Sequence, residues 1–164
     1  MIVSVSKDTD LKLLLASRQK PVFVVEQAND KPYAKQSSFG RVVGNKVLAF
    51  VPACVSTVTS QTPEKDFIAL ATCYENTILA AFGAGAKTIV VNQLGVGKKV
   101  NITYSGGKEN GYDIWGNLFW TVSKTSYAAR LAIMAADLKV TPDISVVFSV
   151  PAEAYNEWDS VLIF

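Results

Sequence analysis

The 164-residue chain contains no histidine. Mechanisms that rely on an imidazole as general acid or base are excluded, and a catalytic zinc site loses its commonest nitrogen ligand. Cysteine is almost as scarce: Cys54 and Cys73 lie far apart in apolar surroundings and read as buried thiols rather than a disulfide. Charged residues make up only 18%, with a net charge of +2 and Lys and Arg scattered along the chain. There is no basic stripe to track a phosphate backbone, which argues against nucleic acid as a partner. No apolar run approaches the ~20 residues of a membrane span. Lys7, Asp8 and Asp10 interrupt the N-terminus before a signal-peptide core could form. With 49% hydrophobic residues and neither a repeat nor a linker, residues 1–164 read as a single soluble, cytoplasmic domain without metal or cofactor.

What is present concentrates between Leu70 and Gly97. Phe67, Leu70, Ala71, Tyr74, Ile78, Ala81 and Phe82 recur at helical spacing. Thr62-Pro63 offers an N-cap followed by a proline at the first helical position, with Glu64 in the first turn. Gly83 and Gly85 are expected to stop the helix, because glycine takes positive φ without steric cost. Thr88-Ile89-Val90-Val91 then has the unbroken apolar pattern of a parallel strand buried on both faces. Gly95-Val96-Gly97-Lys98 follows where that strand should end. In open α/β sheets ligands bind outside the carboxyl ends of the strands, and a glycine loop there brings backbone N–H groups close to a phosphate.

The remaining elements alternate. Ile2 to Ser6 is β-prone, and Asp8 or Thr9 is placed to cap a helix through Leu11–Leu15, which Gln19-Lys20-Pro21 breaks. Val22–Val25 reads as a second buried strand, followed by a polar stretch from Glu26 to Gln36. Ser37 to Gly44 reads as loop or a short helical turn, and Val47–Val51 as a third apolar run. Lys98 to Asn117 is the least regular region, with an extra strand over Val100–Tyr104 and a turn-forming run over Ser105–Gly111. A helix is expected from near Ser123 or Thr125 through Leu138. A strand follows over Ile144–Val150, then a short helix over Ala152–Asp159. Strands alternating with helices predict a three-layer α/β/α sandwich around a mainly parallel mixed sheet.

The residues in this order resemble a macrodomain, the ADP-ribose-binding α/β fold. The resemblance is carried by Cys73-Tyr74-Glu75-Asn76-Thr77-Ile78, by Gly85-Ala86-Lys87-Thr88-Ile89, and by Leu94-Gly95-Val96-Gly97 at the phosphate loop. An alanine-rich helix, the strand Ile144–Phe148 and Glu153-Ala154-Tyr155 before a last helix continue it. The family's adenine-contacting turn falls on Lys7-Asp8-Thr9-Asp10, and its asparagine that contacts the distal ribose on Asn29. The resemblance therefore implies a nucleotide site formed by Asp8, Thr9, Asn29, Gly95, Val96, Gly97 and Lys98. It implies binding of ADP-ribose or a related nucleotide, with hydrolysis of its derivatives as the associated enzymatic activity. Two departures stand out. Lys31-Pro32-Tyr33-Ala34-Lys35-Gln36-Ser37 replaces the glycine-rich loop, and Asn92 replaces the proline at the strand end. A long insertion separates Gly97 from Trp115.

Each of these residues also has a plainer role. Asp8 suits adenine selection and equally an N-cap. Asn29 suits a ribose contact and equally an Asx turn. Gly95 and Gly97 suit a phosphate loop or an ordinary turn, and Lys98 a phosphate contact or a solvated surface. Trp115, Phe119 and Trp120 suit stacking on a base or an apolar cluster under the insertion. Tyr155 and Trp158 read as anchors of the last helix, and Glu109 and Asp113 are the only acids in the insertion. The apolar end Val161-Leu162-Ile163-Phe164 suggests burial against a partner chain. A homo-oligomer formed through it, on a fold that has lost its pocket, is the alternative to nucleotide binding.

Overall fold

The computed structural model describes residues 1–28, 40–51, 63–95 and 118–164, the side chains of 63–66 and 118–121 excepted. Among the described residues, six strands form one mixed sheet: β1 (Ile2–Lys7), β2 (Val22–Gln27), β3 (Gly40–Val43), β4 (Lys46–Ala49), β5 (Thr88–Asn92) and β6 (Ser145–Val150). Their order is β1-β6-β5-β2-β4-β3. All neighbours pair in parallel except β3 and β4. The carboxyl ends of β1, β6, β5, β2 and β4 therefore share one edge of the sheet.

Helix α1 (Leu11–Ser17) covers one face, where Leu11, Leu14 and Leu15 pack on Val22, Val24, Val90 and Val147. The other face carries α2 (Pro63–Gly83), α3 (Leu118–Ala136) and α4 (Tyr155–Val161) over Val25, Val47, Ile89, Val91, Val146 and Phe148. The result is the expected α/β/α sandwich. Helix α2 begins at Pro63 and buries Leu70, Ala71, Tyr74, Ile78 and Ala81, as their spacing predicts. It ends at Gly83, and Gly85 follows with φ +96. Strand β5 is buried from Thr88 to Val91, since helices flank it on both sides.

Several expectations need correction. Ser37–Gly44 is not loop or helical turn where it is described: Gly40–Val43 is a strand that pairs antiparallel with β4. Gly44 and Asn45 close the hairpin, with Gly44 at φ +60 as its first central residue. Helix α3 starts at Leu118 rather than near Ser123, because its inward-facing positions reach back through Val122. Strand β2 is less fully buried than its apolar run suggests: Phe23 and Val25 are buried, while Val22 and Val24, under α1, are half-buried. Asp8 is not a side-chain cap: Asp8–Asp10 form a 3-10 turn leading into α1, whose N-cap is Asp10, and neither start carries a side-chain capping bond. The C-terminal segment is split, with Val161 and Leu162 buried in their own chain while Ile163 and Phe164 are exposed. Cys73 is a buried thiol that donates to the Phe50 carbonyl at 3.7 Å; Cys54, like Thr62 and residues 98–117, lies outside the described residues. No described helix is long and apolar enough to cross a membrane.

Candidate functional site

The carboxyl edge collects the ends of β1, β6 and β5 side by side. Asp8 and Thr9 follow β1 immediately and are exposed. Gly95 follows β5 after Gln93 and Leu94. Since β6 alone separates β1 from β5, the two ends lie roughly 10 Å apart, two strand spacings. Beside β1 a pocket of about 280 Å³ is lined by Val5, Ser6, Lys7, Asp10 and Tyr155. The Lys7 ammonium sits 5.4 Å from the centre of the Tyr155 ring, a cation–π contact. Asp10 rather than Asp8 supplies the carboxylate that lines this pocket.

The segment after β5 is held from four directions. The Leu94 N–H donates to the Tyr74 hydroxyl at 2.8 Å. That hydroxyl is 2.5 Å from Thr125 Oγ1, which donates in turn to the Leu94 carbonyl at 2.6 Å. One consistent assignment closes a ring: Leu94 N–H to Tyr74, Tyr74 O–H to Thr125, and Thr125 O–H back to Leu94. Every buried donor in it is then used. Burial raises the Tyr74 pKa far above the usual phenol value, outweighing the hydrogen bonds from Thr125 and Leu94, so the hydroxyl remains a neutral donor. The Trp158 indole N–H donates to Gln93 Oε1 at 2.7 Å, fixing the same segment to α4. Beneath it, Tyr74 and Trp158 pack around Phe148, the rings of Phe148 and Trp158 lying 5.1 Å apart. On the fourth side the Gly95 N–H donates to Gln27 Oε1 at 3.2 Å.

Gly95 itself is required twice over. Its φ is +78, and an added Cβ would lie 3.0 Å from Leu70 Cδ2. Leu70 is almost wholly buried and cannot easily give way. A left-handed glycine immediately after a fixed Leu94 turns the backbone sharply, and its N–H is satisfied by a replaceable side-chain amide rather than by another main-chain group.

The structure thus brings Asp8, Thr9 and Gly95 to one edge. Asn29, Val96, Gly97, Lys98, Glu109, Asp113 and Trp115 lie outside the described residues; Phe119 and Trp120 fall within α3. Trp158 anchors α4 as expected, fully buried, while Tyr155 is half-buried at the pocket. Sequence reasoning missed Gln27, Gln93 and Thr125, and took Tyr74 as an apolar position only. A polar group inside an otherwise apolar helical face marks Thr125 as unusual, but nothing local names Tyr74 or Leu94 as its partner. Elsewhere Asp143, held below the usual carboxylate range by Thr141, its own backbone and Lys87, lies at the opposite, amino edge of the sheet and belongs to no site. Among the described residues no cluster of acids and thiols could hold a metal ion. A scan against models of known protein families returns no match, and neither does a comparison with curated proteins.

Proposed function

We propose that the carboxyl edge binds ADP-ribose or a related nucleotide, as a divergent macrodomain would. The diphosphate lies against the Gly95 segment and the adenine end towards Asp8 and Thr9. The observation that carries this reading is the pairing of a fixed, left-handed Gly95 after β5 with a carboxylate-bearing turn after β1, one strand between them. A backbone N–H in such a turn suits a phosphate oxygen, and a carboxylate accepts an exocyclic amino N–H. The pocket beside Tyr155 approaches the small end of ligand sites, ~300 Å³. Asn29 follows β2 in the chain and Val96, Gly97 and Lys98 continue from Gly95; the same proposal gives them ribose and phosphate contacts.

Calorimetric titration with ADP-ribose tests the reading. Saturable heat, lost when Gly95 is replaced by valine in a variant that still folds, is the expected result. No heat at millimolar ligand, about the weakest affinity worth calling specific, overturns it. Chromatography of the same mixture for released ribose or phosphate products tests hydrolysis. The Gln27 amide already occupying the Gly95 N–H favours a second reading, a protein-interaction module on the same fold, and that reading predicts the silent titration.

A further inference from the structure

Helix α3 turns a stripe of large apolar residues to solvent. Towards the sheet and α2 it presents Thr125, Ala128, Ala129, Ala132 and Ala136, all essentially inaccessible. Val122 and Ile133 are buried on that side as well, but other large apolar residues face away: Tyr127, Leu131 and Met134 are 53%, 40% and 55% exposed, and Leu138 in the following turn is 89% exposed. An ordinary surface helix turns polar residues to water on that side. These four recur at intervals of four, three and four residues. That is the repeat of a helix–helix seam; it places Tyr127, Leu131 and Met134 within about 60° of one another around the axis, with Leu138 in the turn that follows.

The stripe does not stand alone. One guanidinium nitrogen of Arg130 donates to the carbonyls of Val161 at 2.6 Å and Ile163 at 2.9 Å, and the group lies 4.8 Å over the Phe164 ring. Ile163 and Phe164, 68% and 64% exposed, are thereby held beside α3. A groove of about 320 Å³, lined by Met1, Val3, Ile133, Met134, Asp137, Leu162 and Phe164, joins them to it.

We propose that this face docks a second copy of the chain, α3 against α3 in an antiparallel, two-fold seam. The area supports it: six side chains each offering on the order of 100 Å² approach the ~800 Å² per partner of a standard interface. A total of ~600 Å² lies at the top of the range for the largest apolar patch on a monomer, where such patches are often functional. The spacing supports a copy in particular. The pattern four, three, four reads the same in both directions, so about its midpoint Leu131 meets Met134 of the other copy and Tyr127 meets Leu138. The charges at the rim are mixed and engaged within the chain, Arg130 with the carbonyls above, Asp137 with the Met1 ammonium at 3.3 Å and Lys139 with Glu75 at 2.9 Å. They form no basic belt of the kind an anionic membrane surface attracts.

Sedimentation velocity of the full chain over about 1–100 µM, a range that brackets micromolar affinity, is the test. The expected species has twice the 17.7 kDa chain mass. Leu131→Glu and Met134→Glu, at exposed positions, should each raise the dimer Kd at least ~100-fold while leaving the far-ultraviolet circular dichroism unchanged. A mixture of Leu131→Cys and Met134→Cys should cross-link faster than either variant alone. A monomer at the highest concentration overturns the proposal, and so does a dimer indifferent to both glutamates. Binding of a monomeric wild type to phosphatidylcholine–phosphatidylserine vesicles, abolished by Leu131→Glu, would assign the stripe to a membrane surface instead. None of these outcomes depends on whether a nucleotide binds.

Discussion

The Tyr74 hydroxyl, sealed from water, serves as both acceptor and donor at the point where the chain leaves β5. Tyr74→Phe strands the Leu94 N–H in the interior, which should cost about 1–3 kcal/mol in urea unfolding. Thr125→Val should cost less, towards ~1 kcal/mol, because the Tyr74 hydroxyl already lies 3.4 Å from the Leu94 carbonyl and can donate there directly. The double variant should lose less than the sum, as expected of groups in one network. Equal, additive losses would mean that the ring does not act as a unit. The raised Tyr74 pKa gives a pH signature. Its contribution is whole below the ordinary phenol value of about 10, and is lost as pH climbs above that value towards the folded one. Phenolate absorbance should show one tyrosine that ionises only with unfolding; if every tyrosine titrates while the fold persists, the burial argument fails. Gly95→Ala should destabilise by about 1–2 kcal/mol from its left-handed φ alone, with contact to Leu70 adding to it.

At the scale of elements, Gln27 ties the end of β2 to the Gly95 segment through a single side-chain bond. Gln27→Ala should leave stability within about 0.5 kcal/mol and free the Gly95 amide, so that ADP-ribose binds severalfold more tightly by calorimetry. Weaker binding would mean that the glutamine contacts the ligand rather than competing with it. The elements also explain which parts of the sequence were readable. Helix α2 and strand β5 were legible because their burial follows from unbroken local patterns: Phe67 to Phe82 at helical spacing, then Thr88 to Val91 with no polar interruption. Strand β3 was not, because Arg41-Val42-Val43 is short and lies at the sheet edge. Its strand character comes from pairing with β4 across Gly44-Asn45, a signal carried by the turn and not by hydrophobicity. The start of α3 was misplaced for a related reason. Alanine-rich packing began the helical pattern late, while Val122 carries the buried face further back.

At the scale of the molecule, the alternation of strands and helices implied the layered α/β/α architecture, and the parallel order β1-β6-β5-β2-β4 delivers five strand ends to one edge. Asp8, Thr9 and Gly95 could be placed there from sequence because they lie within three residues of the end of a recognisable strand. Gln27, Gln93 and Thr125 could not. Their roles depend on contacts between elements distant in the chain, Thr125 meeting Tyr74 across 51 positions and Trp158 meeting Gln93 across 65. No local pattern records such a meeting. The exposed stripe of α3 belongs to this scale as well, since only the packed layers show that Tyr127, Leu131, Met134 and Leu138 lie outside the core.

The central claim, that a nucleotide occupies the carboxyl edge, is tested most directly by following the backbone amides by nuclear magnetic resonance during titration with ADP-ribose. The account predicts saturable shifts concentrated at Gly95 and over Lys7–Asp10, with the amino-edge residues Lys87 and Asp143 unmoved. Absence of any saturable shift at about 10 mM ligand, well above a millimolar Kd, would contradict it, as would shifts centred away from that edge.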